Sequence, residues 1–295
     1  MSQPIPAPLI LRGQRFDAAH PAVMGIINRT PDSFYAPARH RDVDAAVARA
    51  AAMQEEGVSI VDIGGVRAGQ EGEWVDAAAE IDRVRPVLAA LRERVPGLLT
   101  SLDTWRAEVA AACSGLVDLI NDTWQGADPG LLGEAARQKV GYVVSHTGGL
   151  PPRTDPVGVD YGPGDAVVAD VLRVLADGAA RAELAGLPRE RILIDPTLDF
   201  GKTTLNSLSL VAQTGRVVEL GYPVLQAISR KDFVGETLDL PIEERLEGSL
   251  AATAVAAWQG ATVFRAHDVR ATRRVLDMVA SIRGDRPPAR TDRGR

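Results

Sequence analysis

Val58-Ser59-Ile60-Val61-Asp62-Ile63, then a helical run from Asp76 to Arg94, then Leu98-Leu99-Thr100-Ser101-Leu102-Asp103: this stretch decides the fold. The outer pieces are short, and their apolar character is continuous rather than alternating. Strands of that kind are buried on both faces, as in a parallel sheet covered by helices. The middle piece has apolar residues at helical spacing behind Asp76, a good N-cap residue, with Gly97 just beyond its end. The three pieces together read as one strand–helix–strand unit.

Working outward, the same unit recurs. Further apolar runs lie at Val23 to Ile27, Leu116 to Ile120, Gly141 to Val144, Ile192 to Ile194, Pro223 to Ile228 and Ala261 to Ala266. Between them lie helical patterns such as Val43 to Glu55, Gly164 to Ala185 and Glu243 to Trp258. Eight strand–helix pairs in about 260 residues predict an α/β chain folded as a (β/α)8 TIM barrel. A doubly wound open sheet is the runner-up. Leu9 to Ala18 reads as a short N-terminal hairpin plugging the barrel bottom, so the expected organisation is residues 1–18, a barrel over 19–283, and a polar tail over 284–295 expected to be disordered.

Composition narrows the function. The 295 residues are 45% apolar and only 4% aromatic, which suits small-residue α/β packing. The absence of an 18-residue apolar run excludes a membrane-spanning helix, and the first residues lack the pattern of a secretory signal. One cysteine, Cys113, excludes an internal disulfide and fits a reducing cytoplasm; in its Ala-rich setting it reads as helix packing. A net charge of −6 argues against nucleic acid as a partner. Only three of the 33 basic residues are lysine: Lys139, Lys202 and Lys231. Where lysine stands in so arginine-rich a chain, a compact ammonium is expected to matter.

Nearly every strand run ends in a polar residue, where such barrels keep their active sites. Asn28 follows the first run and Asp62 closes the second; Asp103, Asn121 with Asp122, His146 and Asp195 follow the next four, Ser229, Arg230 and Lys231 follow the seventh, and Arg265 and His267 bracket the end of the eighth. A single Asp in such a place is usually a cap. Convergence of all of them on one mouth is more than capping requires. Asp103, Asn121 and Asp195 with the Lys231 donor suit a flat heterocycle whose amidine-like edge lies beside a carbonyl. Asn28, Arg265 and His267 suit an anion, the alternative for Arg265 being an ion pair with Asp268 or a neighbour. Trp105 and Trp124 are available to stack on a ring, whereas Trp258 reads as helix packing and His146 as a group lining the mouth.

These residues resemble a known family. Ile27-Asn28-Arg29-Thr30-Pro31-Asp32-Ser33-Phe34, Val61-Asp62-Ile63-Gly64-Gly65, Ser101-Leu102-Asp103-Thr104, Ile120-Asn121-Asp122, Asp195-Pro196 with Asp199-Phe200-Gly201-Lys202, Ser229-Arg230-Lys231 and Arg265-Ala266-His267-Asp268 resemble dihydropteroate synthase, in order, from about Val23 to Ile282. The resemblance implies an enzyme that joins p-aminobenzoate to a dihydropterin pyrophosphate with Mg2+, diphosphate leaving. It implies that Asp103, Asn121, Asp195 and Lys231 hold the pterin, and that Arg265, His267 and Asn28 hold the diphosphate, Asn28 through the metal. Ser229 and Arg230 would face the aminobenzoate, and Lys231, Arg265 and His267 would be the catalytic groups. Sulfonamide and sulfone analogues would be ligands. A homodimer formed through the last helices would place Val275, Leu276 and Val279 among its candidate contacts.

Three loops depart from the family. After Gly64-Gly65 the usual Glu-Ser-Thr-Arg-Pro-Gly is replaced, so that Ala68 and Gly69 stand at the threonine and arginine positions, with Arg67 two places early. Tyr35-Ala36-Pro37 follows Phe34 where an acidic residue and glycines are usual, and Arg29 is an added cation. Thr197-Leu198-Asp199 replaces Gly-x-Gly, adding bulk and negative charge beside the expected pterin pocket. The pattern resembles the second, low-activity dihydropteroate synthase paralogue of actinobacteria, a source that the arginine-rich composition also fits. The expectation is a retained pterin and diphosphate site with weak or no ordinary turnover. The alternatives are an active synthase of folate biosynthesis and a non-catalytic pterin-binding regulator; a methyltetrahydrofolate-dependent methyltransferase would need no diphosphate groups.

Overall fold

In the computed structural model the described residues are 7–28, 36–67, 69, 74–154 and 158–293, the side chains of 36–42 excepted. The chain opens with β1 (Leu9–Leu11) and β2 (Gln14–Phe16), an antiparallel hairpin, and then alternates. It runs β3 (Ala22–Asn28), α1 (Ala36–Glu55), β4 (Ile60–Gly64), α2 (Ala77–Arg94), β5 (Leu99–Asp103), α3 (Ala107–Ala112), β6 (Leu119–Asn121), α4 (Gly130–Gln138) and β7 (Gly141–Ser145). There follow α5 (Ala166–Leu184), β8 (Ile192–Asp195), α6 (Thr204–Ala212), α7 (Thr214–Val218), β9 (Leu225–Ala227), α8 (Asp232–Leu238), α9 (Leu246–Trp258), β10 (Val263–Ala266) and α10 (Val269–Arg283).

Strands β3 to β10 pair in parallel in the order β8-β7-β6-β5-β4-β3-β10-β9. An isolated bridge between Ile194 and Val224 joins the two ends, so the sheet wraps into the expected barrel rather than the open alternative. Local signals place the helices. Asp76 accepts from Ala79 N at 2.8 Å to start α2, and Gly284, at φ 80°, ends α10 where a side chain would be strained. The fourth strand is shorter than its apolar run predicts, and just before β6 begins the buried Asp118 carboxylate accepts from Thr100 N (2.9 Å).

Two cores result. The outer one packs the helices on the barrel wall; the inner one fills the N-terminal end with Met24, Ile60, Leu99, Leu119, Val143, Leu193, Leu225 and Val263. Leu9, Leu11 and Phe16 of the hairpin join that inner cluster, so the hairpin is the plug the sequence predicts. Each such leucine contributes roughly 1.5–3 kcal/mol on burial. Gly141 makes the fit possible: a Cβ there would come within 2.7 Å of Leu11 Cδ2. At the other end the register sets Asn28 beside Gly64, Gly64 beside Asp103, and Asp103 beside Asn121, one polar arc on four neighbouring strands.

On α10, Leu276 and Val279 lie in the core and do not present an outer face. The large exposed apolar residues of the last two helices are Val255, Trp258, Met278 and Ile282. Beyond α10 the chain has no regular element as far as it is described, and Arg286 returns to Asp277 on α10 at 2.7 Å. No described helix is long and apolar enough to cross a membrane.

Candidate functional site: a polar cavity at the barrel mouth

The C-terminal ends of the strands enclose a cavity of about 200 Å³. Asn28, Asp103, Asn121, Asp195, Lys231 and Arg265 all line it, together with Trp105, Thr123, Trp124, Thr197 and Phe200. Six of the nine site residues expected from the sequence therefore meet there. Ser229, Arg230 and His267 do not line it. Arg230 is held elsewhere: it grips Asp268 at 2.8 and 3.1 Å and donates to the carbonyls of Ile242 and Glu243, both at 2.8 Å. His267 is exposed, its backbone N and ring Nδ1 each 3.2 Å from Ser229 Oγ.

Arg265 turns inward. Its Nε donates to Asp62 Oδ2 at 2.7 Å, and a terminal nitrogen donates to Asp103 Oδ2 at 2.9 Å. Asp62 Oδ2 also accepts from Asn121 Nδ2 (3.1 Å), and Asp103 Oδ1 accepts from Thr123 Oγ1 (2.6 Å). The four side chains thus form a network around one part-buried guanidinium. Withdrawal from water raises the Asp103 pKa to about 6, with the Arg265 charge opposing that rise and the neighbouring Asp62 adding to it. The buried atoms Asp62 Oδ1 and Asn121 Oδ1 have no partner among the described residues, which leaves acceptor capacity inside the barrel for a donor-bearing ligand.

Asp195 and Lys231 face this network. Asp195, 3% exposed, accepts from Thr197 N at 2.7 Å, and burial raises its pKa. Lys231 donates to the carbonyl of Leu198, and its Nζ stands 4.7 Å from the centre of the Phe200 ring. Desolvation lowers its pKa against the pull of Asp199 and Asp195. Phe200 meets Trp124 edge-on at 5.3 Å, giving the cavity an aromatic wall.

The turn that carries Leu198 and Phe200 is strained and clamped. Thr197 (φ 52°) and Asp199 (φ 72°), which replace the family's two glycines, both occupy the left-handed region. The carboxylate of Asp199 does not face the cavity as its sequence position suggests. It accepts from Asp232 N (2.8 Å) and Phe233 N (3.3 Å), capping α8. Buried Lys202 ties the turn down, donating to the carbonyls of His146, Thr197 and Phe200 at 2.8, 2.9 and 2.8 Å. Burial takes its pKa well below the ordinary lysine value, and the charge of Lys231 pushes the same way.

Other expected residues sit behind the site. Asp122 accepts from Trp124 N, Gly126 N and Tyr142 Oη, fixing the loop after β6. His146 is fully buried, its Nε2 3.0 Å from Asp170 Oδ2. Of the altered loops, residues 29–35, 68 and 70–73 lie outside the described residues, so Arg29, Tyr35, Ala68 and Gln70 cannot be placed; Pro37 falls in the first turn of α1, where its missing N–H is tolerated. Arg67 lines the cavity, exposed, and makes no hydrogen bond or ion pair among the described residues. Asp62, named in the sequence only as a strand end, turns out to organise the network; its signal was its position level with the other strand-end carboxylates.

The fold is a TIM barrel whose mouth sets carboxylates, an amide, an ammonium and aromatic rings around a small cavity, chemistry that suits a flat, donor-rich heterocycle. The chain belongs to the pterin-binding enzyme family, whose model matches residues 24–267. "Inactive dihydropteroate synthase 2" of Mycobacterium leprae is 50% identical over 287 residues, 97% of this chain and 98% of that relative. The dihydropteroate synthase of Escherichia coli is 35% identical over 272 residues, 92% of this chain and 95% of the relative. The solved structure of Xanthomonas albilineans dihydropteroate synthase with 4-aminobenzoic acid matches with a TM-score of 0.81 at 37% identity, covering 96% of this chain and 99% of that one.

Proposed function

We propose that the protein binds a pterin, or a pterin carrying a diphosphate, at the barrel mouth and turns over the ordinary synthase reaction weakly or not at all. The observation that carries this reading is the contrast between Asp103, Asn121, Asp195 and Lys231, which all line one cavity as the family resemblance implies for a heterocycle, and the rewritten loop after Gly65. Likeness to the M. leprae relative, higher than to the E. coli synthase and extending along nearly the whole chain, supports it. In this reading Asp103 and Asp195 accept from the ring N–H and amino edge, and Lys231 donates to the carbonyl.

Anion handling is where the site is thin. Arg265 is already shared by two carboxylates, which leaves Arg67 as a cation lining the cavity with no hydrogen bond or ion pair among the described residues. No group of three His, Cys, Asp or Glu among the described residues could cage a metal. A Mg2+ borne on the diphosphate needs no cage, since it keeps several waters and takes one or two protein oxygens. The Asn28 amide is suited to be one of them, and the metal would supply charge neutralisation of the leaving group.

The exposed face of Val255, Trp258, Met278 and Ile282 would bury itself in a homodimer. A single free, buried cysteine agrees with a cytoplasmic home, and the mycobacterial relative with an actinobacterial source. The deciding experiment incubates the pure protein with dihydropterin pyrophosphate, p-aminobenzoate and Mg2+, measures pterin binding by calorimetry, and is run beside an active synthase. Expected are saturable pterin binding and a turnover at least about 100-fold below the active enzyme, the size of loss that follows removal of one preorganised charge-stabilising group. Ordinary turnover would instead establish an active synthase, with Arg67 replacing the displaced loop cation.

A further inference from the structure

A second cavity, of about 320 Å³, opens on the outside of the barrel between α4 and α5. Its walls are apolar, from Pro129, Leu132, Val144 and Val174. Gly178 lets α5 press onto β7 beside it, since a Cβ there would lie 2.4 Å from Val144 Cγ1. Three features make this space more than a packing gap. Arg181 stands at its rim, exposed, and its guanidinium makes no hydrogen bond or ion pair among the described residues. Ser145, 2% exposed, accepts from Gln125 N at 2.9 Å, while its own hydroxyl hydrogen has no acceptor among them. Asp122 and Asp128 supply carboxylates on the α4 side. Both are committed to other groups, Asp122 at Trp124 N through Oδ1 and at Gly126 N and Tyr142 Oη through Oδ2, Asp128 at Ala107 N and Gly130 N, yet Asp122 Oδ1 and both oxygens of Asp128 keep a second lone-pair direction.

A pure anion would meet two carboxylates here and a pure cation would meet Arg181. A molecule carrying both charges satisfies each side, its ammonium on the acidic wall and its carboxylate on Arg181 and the Ser145 hydroxyl, with a short apolar body between the helices. We propose that the cavity between α4 and α5 is a second small-molecule site, for an aminocarboxylate with a short apolar side chain. The site is connected to the barrel mouth by the loop after β6. In that loop Asp122, Gln125 and Gly126 face the outer cavity, while Thr123 and Trp124 face the inner one. Occupancy of one cavity therefore changes affinity in the other.

The test uses L-leucine and L-phenylalanine as probes, with isovalerate and isoamylamine as controls that keep one charge each. Calorimetry on the full chain is expected to show one saturable site for at least one amino acid, at least about tenfold tighter than either control. Arg181→Gln, at an exposed position, should weaken it about tenfold with the thermal midpoint unchanged, and Val174→Phe should abolish it by filling the cavity. Pterin titrated with and without the amino acid should differ about fivefold or more in affinity, the lower end of ordinary coupling. No saturable amino-acid binding would overturn the proposal, as would a control that binds equally well or a site indifferent to both substitutions. Binding with no change in pterin affinity would overturn the coupling through the loop.

Discussion

Lys202 and Lys231 stand in motifs where the sequence singles out lysine, and the two ammonium groups do different work. Lys202 spends its three donors on three backbone carbonyls, a demand that a planar guanidinium could not meet. Lys202→Met leaves those carbonyls buried and unpaired, so a loss of about 3 kcal/mol or more is expected in urea unfolding. Lys231→Ala, at a half-buried group on the cavity wall, should leave stability within about 1 kcal/mol of the parent and abolish pterin binding. The pH dependence separates two further side chains. Burial lowers the pKa of His146 to about 4, against 6.5 in a free chain. Its contribution is therefore fully present above pH 6.5 and is lost as the pH falls towards 4, on the order of 3 kcal/mol in all. Chemical unfolding from pH 7 to 4.5 should show that slope, and His146→Asn should flatten it; equal slopes would clear His146 of the role. Asp103, by contrast, takes up a proton near pH 6, so pterin affinity should fall as the pH drops through that value.

The turn between β8 and α6 shows how far the sequence could be read and where reading stopped. Its motif, Asp195-Pro196 with Asp199-Phe200-Gly201-Lys202, was recognisable, and so was the loss of two glycines. The destination of the new side chains was not, because it depends on backbone that approaches from other elements. Asp199 reaches the start of α8, and Thr197 Oγ1 accepts from His146 N (3.2 Å) and donates to Asp195 O (3.0 Å). Asp199→Gly should thus cost about 1 kcal/mol through the lost cap, although glycine would relax its positive φ. Asp195→Ala is expected to lower stability as well as ligand binding, since it strips the acceptor from Thr197 N at a strained position; Asp195→Asn separates the two effects. The same limit explains Arg230. It stands in the middle of Ser229-Arg230-Lys231, yet Asp268 arrives from the end of β10 to claim it. The barrel, the hairpin plug and the meeting of six of the nine expected residues at one cavity were legible because periodicity and strand-end position fix them. Side-chain partners across the barrel were not.

The whole barrel divides its labour between its ends. The N-terminal end is an apolar layer closed by the hairpin, and Leu11→Ala should cost about 2–5 kcal/mol, measurable as a lowered thermal midpoint with pterin affinity little changed. The C-terminal end carries the polar network, and its altered loops make no contact with that apolar layer as far as they are described. If Trp258, Met278 and Ile282 form an interface, Met278→Glu should yield a monomer by light scattering with the barrel intact. The hairpin plug has a further consequence for the history of such a chain. A duplicated copy whose folding is secured from beneath can exchange its upper loops one at a time, each intermediate still soluble and able to hold a ring. Loss of one reaction then need not mean loss of the protein, and a copy freed in this way is open to recruitment for a different nucleophile or for sensing alone.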